Sequence, residues 1–288
     1  MVMKKAIVIE SVFFSAAAVL VLSSLALMLF IGSQGLRLFG QLSPAEFFFG
    51  TTWDQNTQTF GVLPLLYGSV VTTLITLLLS APLAILVAIF MVEVAPAPIR
   101  RVVRTVVELF ASLPSVIFGF LGLTLVVPWV REAFQAGLGK GILPAAIVLV
   151  FMTQPVMVTI IEDTLRSIPA SLREAAFGLG ATRWQMIWGV LLPAARQGIL
   201  TAVILGTGRA VGETMAVQMV IGNITARIPA SLVTGATTMP AAIVTQLPEA
   251  TSPTHRAALI MVGFLLLVIA FILIAIVRLA YHPTATGR

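Results

Sequence analysis

The chain has 288 residues, of which 59% are hydrophobic and only 10% charged, and its formal net charge is +6. Soluble domains carry roughly 45–50% apolar and about 25% charged residues, so a single soluble domain is excluded because its surface could not be made polar. Intrinsic disorder is excluded as well, since disordered chains are poor in apolar residues. The absence of cysteine removes disulfides, thiolate metal sites and a cysteine nucleophile.

Charged residues divide the chain into apolar stretches long enough to cross a bilayer, which takes roughly 20 helical residues. Six such stretches occur: 11–36, the part of 55–92 that begins near residue 61, 109–130, 141–161, 198–222 and 257–277. The alternating segments of a membrane β-barrel are not found. We therefore predict an all-α integral membrane protein with six transmembrane helices. The first helix, about 8–36, is too long for the apolar core of a signal peptide, and we expect it to be retained.

The distribution of Lys and Arg predicts the orientation, because cytoplasmic loops of membrane proteins are enriched in positive charge. With the N-terminus inside, eleven of the 17 basic residues lie on the cytoplasmic side and five on the outer side, while Arg209 lies within a span. Both termini are therefore predicted to be cytoplasmic. The same bias accounts for the basic composition without a nucleic-acid partner.

Three parts of the chain follow from this topology. Residues 1–60 hold the first helix and an outer loop, residues 61–280 a five-helix core, and residues 281–288 a cytoplasmic tail. Pro82, Pro114 and Pro155 lie inside the predicted spans, and each removes a backbone hydrogen bond and kinks its helix. Such kinks are common in membrane helices, but broken helices also line transport pathways. Both interpretations are open at this point.

The outer segment at about 223–256 contains a helix signal of its own. Thr238 precedes Pro240 by two residues, which is typical of a helix start, and Pro248 closes the segment. This helix could lie at the membrane interface or dip toward a pathway. The two histidines, His255 and His282, fall at opposite membrane ends, so a zinc site built on paired histidines is not expected.

The longest cytoplasmic loop, about 162–197, is predicted to fold as a helical hairpin. Ser171 and Glu174 have the spacing of a capping box, in which the serine caps the helix and the acid reaches back. After a break at residues 178–180, a second box at Thr182 and Gln185 opens another helix that runs to residue 193. Glu174 could be a capping acid and nothing more. Alternatively, the small residues that follow it let a partner approach the backbone closely.

Residues 174–193 resemble the EAA loop of ABC-importer permeases, usually written EAA-x3-G-x9-I-x-LP. The matching residues are Glu174, Ala175, Ala176, Gly180, Leu192 and Pro193, with Val190 in place of isoleucine. The resemblance implies that this loop carries a coupling helix for a cytoplasmic ATPase, with Glu174, Ala175, Ala176 and Gly180 as coupling residues. The chain has no glycine-rich phosphate loop. We therefore expect a transport subunit and no enzyme, with no cofactor of its own and with ATP and Mg on a separate ATPase.

The predicted span 198–222 contains two charges, Arg209 and Glu213. A charge at mid-bilayer costs at least ~2.5–3.5 kcal/mol on insertion scales, so such residues are candidates for function. Because they are four residues apart, we expect them to share a helix face and to pair; a purely structural pair is the alternative. A guanidinium matches phosphate-like oxygens bidentately. A nearby carboxylate tolerates an anion that keeps a proton, which phosphate does near pH 7 and sulfate does not.

The residues around this pair, 206–223, are similar to the phosphate-importer permeases, and closer to the C-type than to the A-type subunit. Residues 49–54, 61–69 and 113–119 agree, so the resemblance covers about residues 47–280. It implies an ABC importer type I permease fold and a pathway that contains Arg209 and Glu213. The implied location is a bacterial inner membrane, and the implied activity is ATP-driven uptake of inorganic phosphate by alternating access.

The same resemblance implies partners for the chain. These are a homologous A-type permease subunit, two ATPase subunits and an outer phosphate-binding protein, with a second copy of this chain as the alternative to the A-type subunit. Three other functions are kept as alternatives. They are a permease for sulfate or molybdate, a secondary anion carrier, although no inverted repeat is visible, and an intramembrane enzyme, which would need more polar residues within the spans.

Overall fold

The computed structural model describes residues 2–280, which are mostly helical. The first part contains helix α1 (Val2–Leu36), a 3-10 turn (Arg37–Gly40), helix α2 (Pro44–Phe49) and a small antiparallel hairpin of strands β1 (Trp53–Asp54) and β2 (Thr59–Phe60). In this hairpin Trp53 pairs with Phe60. Both aromatic side chains are buried under the outer loops, so the predicted outer loop is a folded layer.

The central part contains five helices and two π-helical turns. They are α3 (Leu63–Ile89) with its π-helical end (Phe90–Val94), α4 (Ala97–Ser112), α5 (Ser115–Leu121), a π-helical turn (Gly122–Val126), α6 (Val127–Ala133) and α7 (Ile142–Ser167). Helices α3 and α7 pack along each other through buried side chains such as Ala84, Ala88 and Met157. They form the centre of the molecule.

The last part contains the hairpin and the final spans. They are α8 (Ala170–Gly178), α9 (Arg183–Met186), a π-helical turn (Ile187–Leu191), α10 (Leu192–Gly212), α11 (Met215–Val220), α12 (Met239–Gln246), a 3-10 turn (Leu247–Glu249) and α13 (Pro253–Ala280). Helix α10 packs on α7, and α13 packs on α1. The core helices α3, α7 and α10 therefore adjoin one another, while α1 lies at the periphery.

Six helical stretches within residues 2–280 are long and apolar enough to cross a membrane: Ser11–Gly40, Leu63–Val94, Ser115–Ala133, Ile142–Ser167, Arg183–Gly212 and Pro253–Leu273. The predicted number of spans is confirmed. An even number of crossings puts both ends of the chain on one side, which the charge bias predicts to be cytoplasmic. The predicted tail 281–288, with His282 and Arg288, lies outside the described residues.

The predicted bounds of the fifth span, 198–222, are wrong at both ends. The second helix of the hairpin does not stop at Pro193 but continues into α10. A π-helical turn ends just before the proline, and this local irregularity in the hydrogen-bond pattern accommodates the N–H that Pro193 lacks. At the other end the helix stops at Gly212, because the backbone of Glu213 is extended, with φ −72° and ψ 126°.

The three prolines of the predicted spans behave differently. Pro82 and Pro155 lie inside α3 and α7, as the kink interpretation expects. Pro114 instead separates two helices, because Leu113 before it is extended and α5 begins after it. A residue that precedes proline is biased away from helical backbone. The predicted third span, 109–130, is therefore divided between the end of α4 and the helix that begins at Ser115.

Residues 236–238, which immediately precede α12, are buried, whereas the outer segment before them is largely exposed. Thr238 caps α12 by accepting a hydrogen bond from the Ala241 amide at 3.4 Å, and Pro240 lies in the first turn. The predicted helix is confirmed, and its first residues are buried against α3 and α13. On α3, the Ser69 hydroxyl accepts a hydrogen bond from the Met239 amide at 2.8 Å. Of the two positions left open by the sequence, α12 takes the inner one.

Gly68 on α3 makes this approach possible, and its replacement by alanine is expected to destabilise the fold. A Cβ at this position would lie 1.8 Å from the carbonyl oxygen of Thr237, which is backbone and cannot move aside cheaply. Overpacking of this kind costs roughly 1–3 kcal/mol. Gly68→Ala should lower the melting temperature of the detergent-solubilised protein. Gly189→Ala, where a Cβ meets open space, is the control, and equal melting of both variants would contradict the expectation.

Candidate functional site

A break between α10 and α11 positions the two charges predicted to lie in the membrane. Arg209 lies in the last turn of α10, whereas Glu213 follows the end of that helix on extended backbone. The predicted pairing of the two side chains is wrong. Arg209 is exposed, and its guanidinium has no hydrogen-bond or ion-pair partner within the described part of the chain. The Glu213 carboxylate instead accepts a hydrogen bond from the Ala216 amide of α11 at 3.1 Å.

The helix break explains why Arg209 and Glu213 are stable in the structure without forming an ion pair. Four carbonyl groups at the end of a helix have no partner within it, so a cation in the last turn is favoured. Arg209 occupies such a position in α10. The amides of the first turn of α11 are likewise unpaired, and Glu213 satisfies one of them. Each charge is thus stabilised by backbone, and the guanidinium remains free to bind an anion.

A narrow cleft surrounds the Glu213 side chain. It is lined by Ser69, Thr72, Thr73, Leu149, Ala210, Val211, Val217 and Thr238. The hydroxyl groups come from α3 and from the cap of α12, and they face α10 and α11 across the cleft. Its volume of about 10 Å³ is close to the space of a single water molecule. The cleft is therefore too small for a phosphate ion in this conformation.

The Thr72 hydroxyl is a free donor and acceptor in this cleft. Its side chain is 1% exposed, and its oxygen is buried without a hydrogen-bond partner among the described residues. Sequence reasoning missed it, because it considered charged residues alone. A signal was present: hydroxyl residues recur on α3 at helical spacing, at Ser69, Thr72, Thr73, Thr76 and Ser80, and this spacing places them on one face. All five are buried.

Two helices that follow breaks lie side by side near this cleft. Helix α5 follows the break at Pro114, and α11 follows the break at Glu213. They pack closely at Gly119, where a Cβ would lie 2.9 Å from the Cα of Ala216. The break at Pro114 thus belongs to the same region as Glu213. This arrangement favours the pathway interpretation for Pro114 over that of an ordinary kink.

The hairpin at the predicted cytoplasmic end presents the EAA residues. Helix α8 begins at Ala170 after Pro169, with no side-chain cap, so the predicted capping box at Ser171 is wrong: the serine already lies inside the helix. Glu174 is exposed and, within the described chain, its carboxylate has no hydrogen-bond partner. It is therefore available to a partner. Ala175 is exposed as well, whereas Ala176 is buried against the core.

The turn between α8 and α9 requires a glycine. Gly180 has φ +81°, a left-handed conformation that side chains with a Cβ disfavour, and its amide donates to the Phe177 carbonyl at 2.9 Å. The second predicted capping box, Thr182 with Gln185, is confirmed in both directions. Gly180 therefore holds the shape of the hairpin.

Large apolar side chains surround the exposed EAA residues. Phe177 is 48% exposed, Leu179 90% and Trp184 61%. Exposed apolar side chains gathered in one place mark a contact surface for protein or membrane. We refer to Glu174, Ala175, Phe177, Leu179 and Trp184 as the docking surface. The sequence indicated the small residues of this surface but not its aromatic and leucine side chains.

Comparison with known protein families identifies the family of this chain. Residues 80–282 match the family described as binding-protein-dependent transport system inner membrane component. The chain belongs to this family. With its six apolar helices, this permease is a multi-pass transport subunit of the inner membrane and not an enzyme.

Individual relatives of the permease cover most of its length. It is 40% identical over 269 residues to the probable ABC transporter permease protein YqgH of Bacillus subtilis, which covers 92% of this chain and 87% of the relative. It is 38% identical over 271 residues to the phosphate transport system permease protein PstC of Xylella fastidiosa, with 88% and 82% covered. The relatives thus span nearly the whole permease.

Solved structures confirm the predicted fold. A bacterial ABC transporter that imports alginate has a TM-score of 0.62 with the permease at 20% identity, over 88% of this chain and 89% of that chain. The MetNI methionine ABC transporter has a TM-score of 0.54 at 24% identity, over 77% and 95%. The ABC importer permease fold is therefore shown, whereas the roles of Arg209, Glu213 and the docking surface remain predictions.

Proposed function

We propose that this permease forms one half of the membrane path of an ATP-driven importer of inorganic phosphate. The observation that carries the proposal is the helix break, which leaves the Arg209 guanidinium unpaired and the Glu213 carboxylate in a hydroxyl-lined cleft. Phosphate transport permeases are among the relatives that cover most of the chain. The charges at the helix break and the similarity to phosphate permeases together support phosphate as the substrate.

The chemistry of the cleft suits an anion that still carries a proton. Arg209 is exposed on α10 next to Ala210 of the cleft lining, and from outside the cleft it supplies a permanent charge and a forked set of donors. The Thr72 hydroxyl, which has no hydrogen-bond partner among the described residues, can donate to a phosphate oxygen, and Glu213 can accept a hydrogen bond from the phosphate O–H. Sulfate has no such proton at neutral pH and would be repelled by the carboxylate.

The size of the cleft supports transport by alternating access. A space of about 10 Å³ has to widen before phosphate can enter. The walls that would separate are α3 on one side and the α10–α11 break on the other. We propose that ATP binding by the partner subunits drives this separation, and that the site is alternately open to the two sides of the membrane.

The partners follow from exposed features of the chain. The docking surface is proposed to contact one of two ATPase subunits, which hold ATP and Mg; this chain is proposed to bind no cofactor. The exposed side of α10 that carries Arg209 is proposed to face a homologous A-type permease subunit. A phosphate-binding protein is proposed to dock on the outer layer, near the hairpin of β1 and β2. A solved alginate transporter is in complex with a periplasmic protein.

Uptake by the reconstituted importer tests the proposal through Glu213→Gln. The wild type should take up labelled phosphate and exclude sulfate. The variant should take up phosphate at least about tenfold more slowly than the wild type, since a hydrogen bond to a charged group is worth about 1.5–3 kcal/mol. Glu132→Gln, at an exposed carboxylate, is the control. Unchanged uptake and discrimination in Glu213→Gln would contradict the role of Glu213, and sulfate or molybdate uptake by the wild type would favour the alternative substrate.

A further inference from the structure

Arg173 lies on α8 directly before Glu174, yet its side chain contacts the core of the molecule. Its Nε donates to the Glu93 carboxylate at 3.0 Å, and its two terminal nitrogens donate to the carbonyls of Ile168 at 2.9 Å and Leu165 at 2.8 Å. Leu165 belongs to the end of α7, and Glu93 to the π-helical end of α3. One guanidinium therefore joins the hairpin to the ends of two central spans.

Glu93 is held from both helices of the hairpin. Its carboxylate pairs with Arg173 of α8, and its backbone carbonyl accepts a hydrogen bond from Arg183 at the start of α9. The Glu93 and Arg173 side chains are 10% and 20% exposed, so water competes weakly for the pair. A displacement of the hairpin as a rigid unit would therefore move the end of α3 with it.

A second cluster of ion pairs at the same end of the molecule connects other helices. Glu162 accepts hydrogen bonds from Arg104 at 2.6 Å and from Arg166 at 2.8 Å. The hydrogen bond to Glu162 and its negative charge raise the pKa of Arg104. The Arg104 pair joins α4 to α7, and the Arg166 pair lies within α7, so neither pair involves the hairpin. Among the described residues, the ion pair that joins the hairpin to α3 is that of Glu93 and Arg173.

Helix α3 connects Glu93 to the candidate pathway. The same helix carries Ser69, Thr72 and Thr73, which line the cleft around Glu213. Along a helix, Thr73 and Glu93 are about 30 Å apart at a rise of 1.5 Å per residue. A pull on the π-helical end of α3 would therefore reach the wall of the cleft through a single continuous element, without passing through a loop.

We propose that the Arg173–Glu93 pair transmits movement of the hairpin to α3, and thereby couples ATP binding on the partner to the width of the cleft. Both are positioning residues, since neither touches the transported anion. In this proposal Glu174 contacts the ATPase, and the neighbouring Arg173 transmits the resulting displacement of the hairpin to α3. The inference rests on the proposed function, but it concerns how the hairpin acts and not which anion is carried.

Glu93→Gln and Arg173→Lys in the purified, reconstituted importer test this coupling. Glutamine removes the charge, and lysine cannot reach the carboxylate and two carbonyls with one ammonium group. We expect both variants to assemble and to hydrolyse ATP, while the phosphate taken up per ATP hydrolysed falls by roughly 5- to 150-fold, the range of typical coupling energies. Asp163→Asn, an exposed carboxylate at the same end of the molecule, should leave this ratio unchanged.

Hydrogen–deuterium exchange gives a readout that does not depend on the anion. In the wild-type complex, ATP should change exchange both in the hairpin and at the end of α3, whereas in Glu93→Gln the change at the end of α3 should be lost and that in the hairpin retained. A variant whose α3 still responds to ATP would overturn the proposal, as would an unchanged ratio of uptake to hydrolysis. A wild type that responds to ATP but carries no phosphate would refute the proposed substrate alone.

Discussion

Replacing Arg209 with alanine is expected to abolish phosphate uptake while the importer still assembles. The side chain is exposed, and within residues 2–280 it has no polar partner, so the fold loses little more than the interaction of one cation with a helix end, about 0.3–1 kcal/mol. The anion, in contrast, would lose a forked, charge-assisted contact. Two hydrogen bonds of about 1.5–3 kcal/mol each correspond to a decrease in uptake of roughly 100-fold or more.

The measurement is uptake of labelled phosphate into proteoliposomes, together with the yield of the purified complex. Arg209→Lys should retain partial uptake, because lysine keeps the charge but lacks the planar fork. Arg196→Ala removes an exposed arginine from the first turns of the same helix and should have no effect. Normal uptake by Arg209→Ala would remove this residue from the pathway.

Ala175→Asp is expected to disrupt the association with the ATPase subunits. Ala175 is exposed beside Glu174, so the permease itself should fold as before. At a close contact, however, the new carboxylate would be buried without a partner, and burial of an unpaired charge is costly. Central interface residues can each be worth 2 kcal/mol or more. We therefore expect the affinity for the ATPase to fall by roughly 30-fold or more.

Co-purification of the ATPase subunits with a tagged permease measures this effect, and the melting temperature of the isolated permease shows that the fold is intact. Ala97→Asp makes the same substitution at an exposed alanine on the same predicted side of the membrane, outside the hairpin, and should retain the ATPase. If Ala175→Asp co-purifies as well as the wild type, the docking surface does not contact the ATPase through this residue.

The spans illustrate what can be read from one sequence. Bilayer thickness fixes a minimum length of apolar helix, so the number of spans followed from the spacing of charges. The bounds did not follow, because helices continue or stop by local backbone geometry. The helix continues through Pro193 after a π-helical turn, and it ends before Glu213, whose backbone is extended although its neighbours are apolar.

The functional residues divide in a similar way. Arg209 and Glu213 stood out because the membrane excludes charge, and the EAA residues because their spacing is distinctive. Their relation to each other was predicted as a helical pair, whereas the structure shows two charges that are each stabilised by helix ends. Thr72 and the Arg173–Glu93 pair could not be recognised in advance, because hydroxyls and surface charges acquire meaning from their neighbours.

The sequence by itself determined that this chain crosses the membrane six times, because the number of spans depends on composition, length and the spacing of charges, and its resemblance to the EAA loop indicated a permease with a hairpin for an ATPase. The tertiary structure decided which groups meet. Ser69, Thr72 and Thr73 face Glu213 only because α3 packs beside the break between α10 and α11. Arg173 reaches Glu93 across 80 residues of sequence, and contacts of such long range depend on how helices pack, which no local pattern encodes.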